Sequence, residues 1–347
     1  MLYITDSSTN PYWNLAAEEY LLKEHSMPIF RLWRNDNAII VGCNQNTLAE
    51  VDINYVKENG VKVVRRLTGG GAVFHDLGNL NFTFIESKNS MEDSSAMFKR
   101  FTAPIIDALN SLGVKAYLEG RNDLLIDGKK FSGNAVCIYK DRVLQHGTLL
   151  FSSSMVNLTA ALKTRPEKFM GKAVQSNRSR VTNISEHLKL ENMPEGGEIN
   201  ISWFKDYLGN YICSKYPDIK KYEYTPEDIA RIDELTAKKY SLESWNFGKS
   251  PAYSFSKVSK LTGGIVEIYM NVEKGSINKI EIYGDYFFTK PTAEFAEKLI
   301  GVQHTYNFIE ERLKEIDSLE KSSGNPLGIS AYFNGITIEE LSSMFFN

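Results

Sequence analysis

Arg65 and Arg66 precede an unbroken Gly69-Gly70-Gly71 triplet by two residues, and Ala72-Val73-Phe74-His75-Asp76 follows it. Glycines leave no Cβ between backbone and ligand, so successive N–H groups can converge on phosphate or carboxylate oxygens. Guanidinium groups add countercharge in a planar fork that matches those oxygens. The chemistry implied is anion binding. The competing reading is a glycine-rich hairpin with arginines exposed at a strand end, but an arginine pair beside a glycine triplet favours a nucleotide or acyl-phosphate site. Known phosphate loops do not fit. No lysine opens a helix after Gly71, and Phe74 stands where a dinucleotide fingerprint needs its third glycine. The flanks alternate like strands, so the expectation is strand, glycine turn, strand in an antiparallel sheet.

Other chemistries find little support. Cys43, Cys137 and Cys213 are odd in number, dispersed and outside Cys-x-x-Cys spacing, which argues against disulfides and cysteine-held zinc. The histidines form no His-Glu-x-x-His. A net charge of −3 and a pI near 6.1 exclude a large basic nucleic-acid surface. The N-terminus lacks the features of a signal peptide and no apolar run has membrane-span length, so a cytoplasmic, membrane-free protein is expected.

The elements around the turn follow from local signals. Asn10-Pro11 starts a helix whose Leu15, Ala16, Glu19, Leu22 and Lys23 keep helical spacing toward His25. Ile29 to Trp33 and Ala38 to Val41 read as a strand pair. Asp52 to Asn59 reads as a short helix closed by Gly60, which delivers Val61 to Arg66 as a strand. A helix is expected over Met91 to Leu112. A meander follows, Leu124-Leu125-Ile126 turning at Asp127-Gly128 into Lys130 to Tyr139, then at Lys140-Asp141 into Val143 to Phe151. Helices follow near Ser202 to Ser214 and Pro226 to Tyr240. Beyond a Gly/Ser/Pro linker come a hairpin, Gly264 to Val272 with Ile277 to Tyr283, and three helices. At 347 residues, about two domains are expected.

Arg65-Arg66-x-x-Gly-Gly-Gly-Ala-Val-Phe-His-Asp resembles the signature of lipoate-protein ligases, within the wider group of biotin and lipoate ligases and octanoyltransferases. Gly120-Arg121-Asn122-Asp123, Gly128-Lys129-Lys130-Phe131-Ser132-Gly133 and His146-Gly147-Thr148-Leu149-Leu150 resemble the same family in the same order. Arg178 to Asn183 and Ser244-Trp245-Asn246-Phe247-Gly248 extend the resemblance over most of the chain.

That resemblance aligns Lys130 with the catalytic lysine that binds the ligand carboxylate and the α-phosphate of ATP; a solvated strand-start lysine is the plain alternative. Arg66 and the amides of Gly71, Ala72, Val73 and Phe74 match the ATP contacts. Asn122 and Asp123 lie beside the adenylate, and Asp123 is the candidate Mg2+ contact, or else a structural hairpin aspartate. Gly70, Gly71, His75, Lys130 and His146 are the candidate lipoate contacts, although both histidines also read as structural. Arg178 and Arg180 belong to a basic stretch that either closes over the adenylate or is a solvated loop. In the implied reaction a carboxylate attacks the α-phosphorus, and an ammonium between the two anions lowers the barrier.

The fold class expected is α+β, a mostly antiparallel sheet with flanking helices in the class II synthetase-like biotin/lipoate ligase fold, plus a smaller C-terminal α/β accessory domain. The divisions are 1–246 catalytic, 247–252 linker and 253–347 accessory. The implied activity is ATP-dependent conversion of lipoate to lipoyl-AMP and transfer to a lysine of lipoyl carrier domains, those of 2-oxoacid dehydrogenase E2 subunits or the glycine cleavage H protein, by a monomer. The rival readings are a cysteine-dependent octanoyl or lipoyl transferase and a noncatalytic binder of lipoyl carriers.

Overall fold

The computed structural model describes residues 1–345 apart from 46, 52, 90–91, 155–161, 163–180, 190–197, 217, 247–254, 274–275 and 305. Asn10 caps the helix Pro11–Glu24 by accepting from the Tyr12 amide, and Pro11 takes the first turn, where its missing N–H costs nothing. Leu15, Ala16, Ala17, Leu21 and Leu22 are buried on it, and so are Glu18 and Glu19. Buried carboxylates need partners, and the partners of Glu18 lie in the site described below.

Fourteen strands are described: β1 Leu2–Thr5, β2 Ile29–Trp33, β3 Ala38–Val41, β4 Lys62–Arg65, β5 Val73–His75, β6 Asn79–Ser87, β7 Ala116–Glu119, β8 Asp123–Ile126, β9 Lys129–Tyr139, β10 Arg142–Leu150, β11 Lys220–Lys221, β12 Phe255–Leu261, β13 Gly264–Glu273 and β14 Ser276–Tyr286. Eight of them form one sheet in the order β11-β1-β2-β6-β10-β9-β8-β7. Its β11, β1 and β2 run parallel, and every pairing from β2 to β7 is antiparallel. The expected α+β class holds.

Alternation gives this sheet two unlike faces. Leu80, Phe82 and Phe84 of β6 and Val143 and Leu149 of β10 face the helices Ser94–Ser111 and Ile201–Lys215, where Phe101, Ile105, Leu109, Phe204, Leu208 and Ile212 complete the main core. Asn79, Asn81 and Thr83 fall on the opposite face, paired with Leu150, Thr148 and His146. A row of polar side chains is thereby turned away from the core.

The expected pairing of Ile29–Trp33 with Ala38–Val41 is not found. β2 pairs with β1 and β6, whereas β3 is the centre of a separate sheet in the order β4-β3-β5. Asn37, with φ 44, turns the chain between them. Both strands are buried throughout, so neither carries the polar alternation that would tell a reader which face it covers. β3 runs parallel to β4 and antiparallel to β5. The glycine turn is therefore a crossover between the two outer strands of a three-stranded sheet, not the connection of a hairpin. The β8–β9 turn is a hairpin as expected, with Asp127 and Gly128 at φ 49 and 75.

The C-terminal unit is an antiparallel sheet β12-β13-β14 covered by the helices Thr292–Glu297, Tyr306–Ser322 and Ile338–Ser343, around Val266, Ile268, Phe295, Leu313, Phe333 and Leu341. Strand β12 was not expected from the sequence. Phe287 packs edge-on to Phe98 of the first unit, with ring centroids 5.4 Å apart.

Candidate active site

Of the glycine triplet only Gly70 has a left-handed backbone, at φ 92. A side chain there would be strained and would sit 3.0 Å from Arg66 Nη2. The guanidinium of Arg66 lies inside the turn: Nη2 donates to the carbonyls of Gly69 (2.6 Å) and Gly71 (2.9 Å), Nη1 to Ile40 (3.1 Å) and Nε to Thr68 Oγ1 (2.8 Å). Arg65 points elsewhere. Its Nη1 donates to the carbonyls of Gly42, Cys43 and Gln45, its Nη2 to Thr47 Oγ1 and its Nε to the Trp245 carbonyl. Asn246 and Trp245 return the favour by bonding the Arg65 backbone. Arg65 is thus a clasp between the turn's entrance and residues 245–246, and it does not share the anion-facing role that the sequence assigned to the pair.

Both guanidinium groups are buried, and among the described residues neither forms a salt bridge. Burial draws Arg66 down to about 10, against the opposing influence of Cys43, Asp285 and Glu18, so it remains cationic at neutral pH. The turn thus encloses one buried cation, with the Asp285 carboxylate nearby and not in salt-bridge contact with it.

Lys130 reaches the polar face because β9 carries an irregularity. The register pairs Leu124 with Ser132 but Leu125 with Lys130, which leaves Phe131 as an extra residue on β9. Phe131 therefore drops into the main core with Leu124 and Ile126, while Lys130 turns to the side of Asp123 and Gly133. Lys130 Nζ lies 2.7 Å from Asp123 Oδ1, with both side chains about 40% exposed, at 40% and 39%. Gly133 makes room for it, since a Cβ there would stand 3.1 Å from Nζ. Asn122 is occupied structurally: its Nδ2 donates to the Asn134 carbonyl, and Asn134 bonds back to its carbonyl.

His75 and His146 differ in kind. The Asn35 amide donates to His75 Nδ1 at 3.1 Å, which leaves the proton on Nε2, a buried atom without a partner among the described residues. Burial, then Arg66 and His146, push His75 down to about 3, so its ring is neutral. His146 is fully bonded. Its Nδ1 lies 2.9 Å from Glu18 Oε2 and its Nε2 lies 2.8 Å from Thr68 Oγ1. Thr83 also donates to Glu18, and Trp33 Nε1 donates to Thr83. Burial alone would raise the Glu18 carboxyl, but His146, Arg31 and Thr83 hold it below the ordinary range, so it is a carboxylate. Glu18, Trp33, Thr68 and Thr83 escaped the sequence reading.

Ala72 and Val73 border the turn, with Val73 paired to Ile40, and Phe74 is buried in the core of the small sheet. Arg178 and Arg180 lie outside the described residues. Burial, then other nearby groups, raise Cys43 and Cys137 to about 12, and burial raises Cys213, so no thiol is activated as a nucleophile. Among the described residues no group of three His, Cys, Asp or Glu could hold a metal. No helix among them is long and apolar enough to cross a membrane.

Residues 10–212 match the family described as lipoyl protein ligase A/B catalytic domain, and residues 250–345 match bacterial lipoate protein ligase C-terminus. The chain belongs to the lipoate-protein ligase family. It is 36% identical to lipoate-protein ligase LplJ of Bacillus subtilis, with all of both chains covered. Among solved structures it is similar to an archaeal bi-partite lipoate protein ligase, described with its E2 lipoyl domain, from Thermoplasma acidophilum (31% identity, TM-score 0.62, 73% of this chain and 98% of that one). It is also similar to a lipoate-protein ligase A bound with ATP (30% identity, TM-score 0.60, 71% and 98%). As a family member the chain is an enzyme of the ligase class.

Proposed function

We propose that this site activates lipoate with ATP to lipoyl-AMP and passes the lipoyl group to a lysine of a lipoyl carrier domain. What supports this reading is the turn itself: a buried guanidinium that forms no salt bridge among the described residues inside a glycine crossover, with Lys130 delivered to the polar face of the adjoining sheet. A carboxylate and an α-phosphate repel one another, and Lys130 between them orients and neutralises both. Arg66 and the amides from Gly71 to Phe74 take the phosphates, with Asn122 and Asp123 beside the nucleotide. Gly70, Gly71, His75 and His146 border the acyl ligand; the orphan Nε2–H of His75 is a donor with a bond to give.

Where Mg2+ accompanies ATP, Asp123 is the carboxylate that would touch it. One half-exposed carboxylate is the sparse oxygen donor set Mg2+ takes when phosphates and water supply the rest, and the ion spreads phosphate charge. Expulsion of AMP by a carrier lysine needs no enzyme nucleophile, in keeping with the raised thiols. The carriers proposed are E2 lipoyl domains and the H protein, and the place of action is the cytoplasm, as a monomer. The units proposed are 1–246 and 253–347, joined by 247–252, with Arg178 and Arg180 in a segment that closes over the adenylate.

The test is lipoate-dependent ATP–pyrophosphate exchange in the wild type and in Lys130→Ala, with the mass of a lipoyl domain read afterwards. Loss of one such donor is expected to lower the exchange rate about 10²- to 10³-fold. The fold should survive, because the side chain is 40% exposed. An unchanged rate in the variant would remove Lys130 from the chemistry. Activity that survives in a variant with Cys43, Cys137 and Cys213 all changed to Ser excludes the thiol transferase.

A further inference from the structure

We propose that Glu18 is a positioning residue for Arg66, acting through His146 and Thr68, so that one buried line of hydrogen bonds ties the helix Pro11–Glu24 to the glycine turn. The inference rests on the reading above, in which Arg66 meets a nucleotide phosphate.

The bonds have one consistent direction. Arg66 Nε–H donates to Thr68 Oγ1, and that oxygen keeps its own proton to give. His146 Nε2 receives it at 2.8 Å, because Nδ1–H on the other side of the ring is directed to the Glu18 carboxylate at 2.9 and 3.0 Å. This tautomer is assigned from the network, and it satisfies every member. Glu18 is itself fixed by the Thr83 hydroxyl, which Trp33 fixes in turn. The line starts on the helix Pro11–Glu24, crosses the polar face at β6 and β10, and ends inside the crossover between β4 and β5. No two of its members Glu18, Thr68 and His146 are near in sequence, and all three are buried or nearly so.

A fold that only needed to fill this space would use apolar side chains. Here each bond sets the orientation of the next, and what the last one sets is rotation about the end of the Arg66 side chain. Nη2 bonds to the turn carbonyls of Gly69 and Gly71 and Nη1 to the Ile40 carbonyl of β3, whereas Nε bonds to a hydroxyl whose proton is claimed by the ring. Without that acceptor the guanidinium keeps only its three carbonyl bonds and is held less sharply, and binding must then supply the rest of its order. The expected cost falls mainly on the nucleotide and only slightly on the acyl ligand that His146 borders.

The test uses pyrophosphate exchange with full-length Thr68→Val, Thr68→Ser, Glu18→Gln and the double variant Glu18→Gln/Thr68→Val. Thr68→Val should lower kcat/KM for ATP about tenfold to a hundredfold, the range for losing a bond to a charged group. The lipoate KM of Thr68→Val should move no more than about twofold, within the scatter of an untouched contact. Thr68→Ser should restore most of the loss. Glu18→Gln presents an amide that can donate to Nδ1, reverse the ring's tautomer and turn Nε2–H against the Thr68 hydroxyl, so it too should lose on the ATP side. The double variant should be no worse than the poorer single one, since both cut the same line. Multiplying losses, or a Glu18→Gln effect confined to lipoate KM, would overturn the proposal. If Thr68→Val melts early, Thr68→Ala with Thr68→Ser as its rescue carries the same comparison. A wild type that exchanges no pyrophosphate would instead sink the adenylating reading and leave the line of bonds in place.

Discussion

Arg65 and Arg66 are neighbours with the same chemistry, and strand alternation sends them to opposite employers. One closes the loop at Gly42 to Thr47 against residues 245–246, and the other enters the glycine turn. That the run is a glycine turn fed by an arginine pair was legible in its residue types; which arginine enters the turn was not, because that depends on where β4 sits in a sheet whose order the sequence left open. Glu18 was illegible for a similar reason. A carboxylate in an apolar helix reads as solvated until its partners on β6 and β10, more than sixty residues away, are seen. His75 allows a test at this scale. Its folded pKa lies at about 3, below the ordinary value of 6.5, so the unfolded chain binds more protons once the pH falls below about 6.5 and stability is lost in that direction. By pH 5 the loss should be about 2 kcal/mol, and the depressed carboxylates, which matter only below about pH 4.5, do not contribute there. Urea melts at pH 7 and pH 5 should differ by that amount less in His75→Gln. An equal difference in both proteins would mean the imidazole is not buried neutral.

The hairpin at Asp127-Gly128 was announced by the dipeptide, since both residues adopt the left-handed backbone that its turn demands. The extra residue at Phe131 was announced by nothing local. It follows from a competition in which an aromatic side chain takes the core and the preceding lysine is turned to the other face. Two glycines on this sheet should therefore respond differently to the same change. In Gly133→Ala the new methyl group meets the tip of Lys130, 3.1 Å from Nζ and 3.2 Å from Cε, which can swing away. Exchange activity should fall about tenfold, as expected for a misplaced catalytic group, with little change in Tm. In Gly147→Ala the methyl group meets Asn134 Oδ1 at 2.3 Å and the Phe82 ring at 2.6 Å, which are packed in place. That variant should lose about 1–3 kcal/mol of stability in denaturant melts. The ordering of the two variants, one losing rate and the other stability, is the measurement that decides.

At the scale of the molecule, an α+β unit followed by a smaller C-terminal one was foreseen, but the three parallel strands in the large sheet and the contact between the units were not. The Arg121 guanidinium stacks 3.9 Å from the Phe287 ring centroid and donates to the Gly263 carbonyl at 2.8 Å. Replacing it with Ala should weaken the union by about 1–2 kcal/mol, the range for a partly desolvated cation–π pair. Calorimetry should then resolve two transitions, or one broadened, where the wild type shows one. A single sharp transition in Arg121→Ala would mean that the contact is incidental. The two units also meet main chain to main chain: Gly284 N–H donates to the Asn44 carbonyl, and a Cβ on Gly69 would stand 2.6 Å from the Tyr286 carbonyl oxygen. The seat beneath the turn is accordingly made mainly of peptide groups, with the Phe288 ring and the Asp285 carboxylate beside them. Most side chains on the small unit can therefore drift while that seat keeps its shape, Gly284 excepted because a Cβ there would meet the Ile265 carbonyl, whereas a single methyl group added at Gly69 would lift the turn off it.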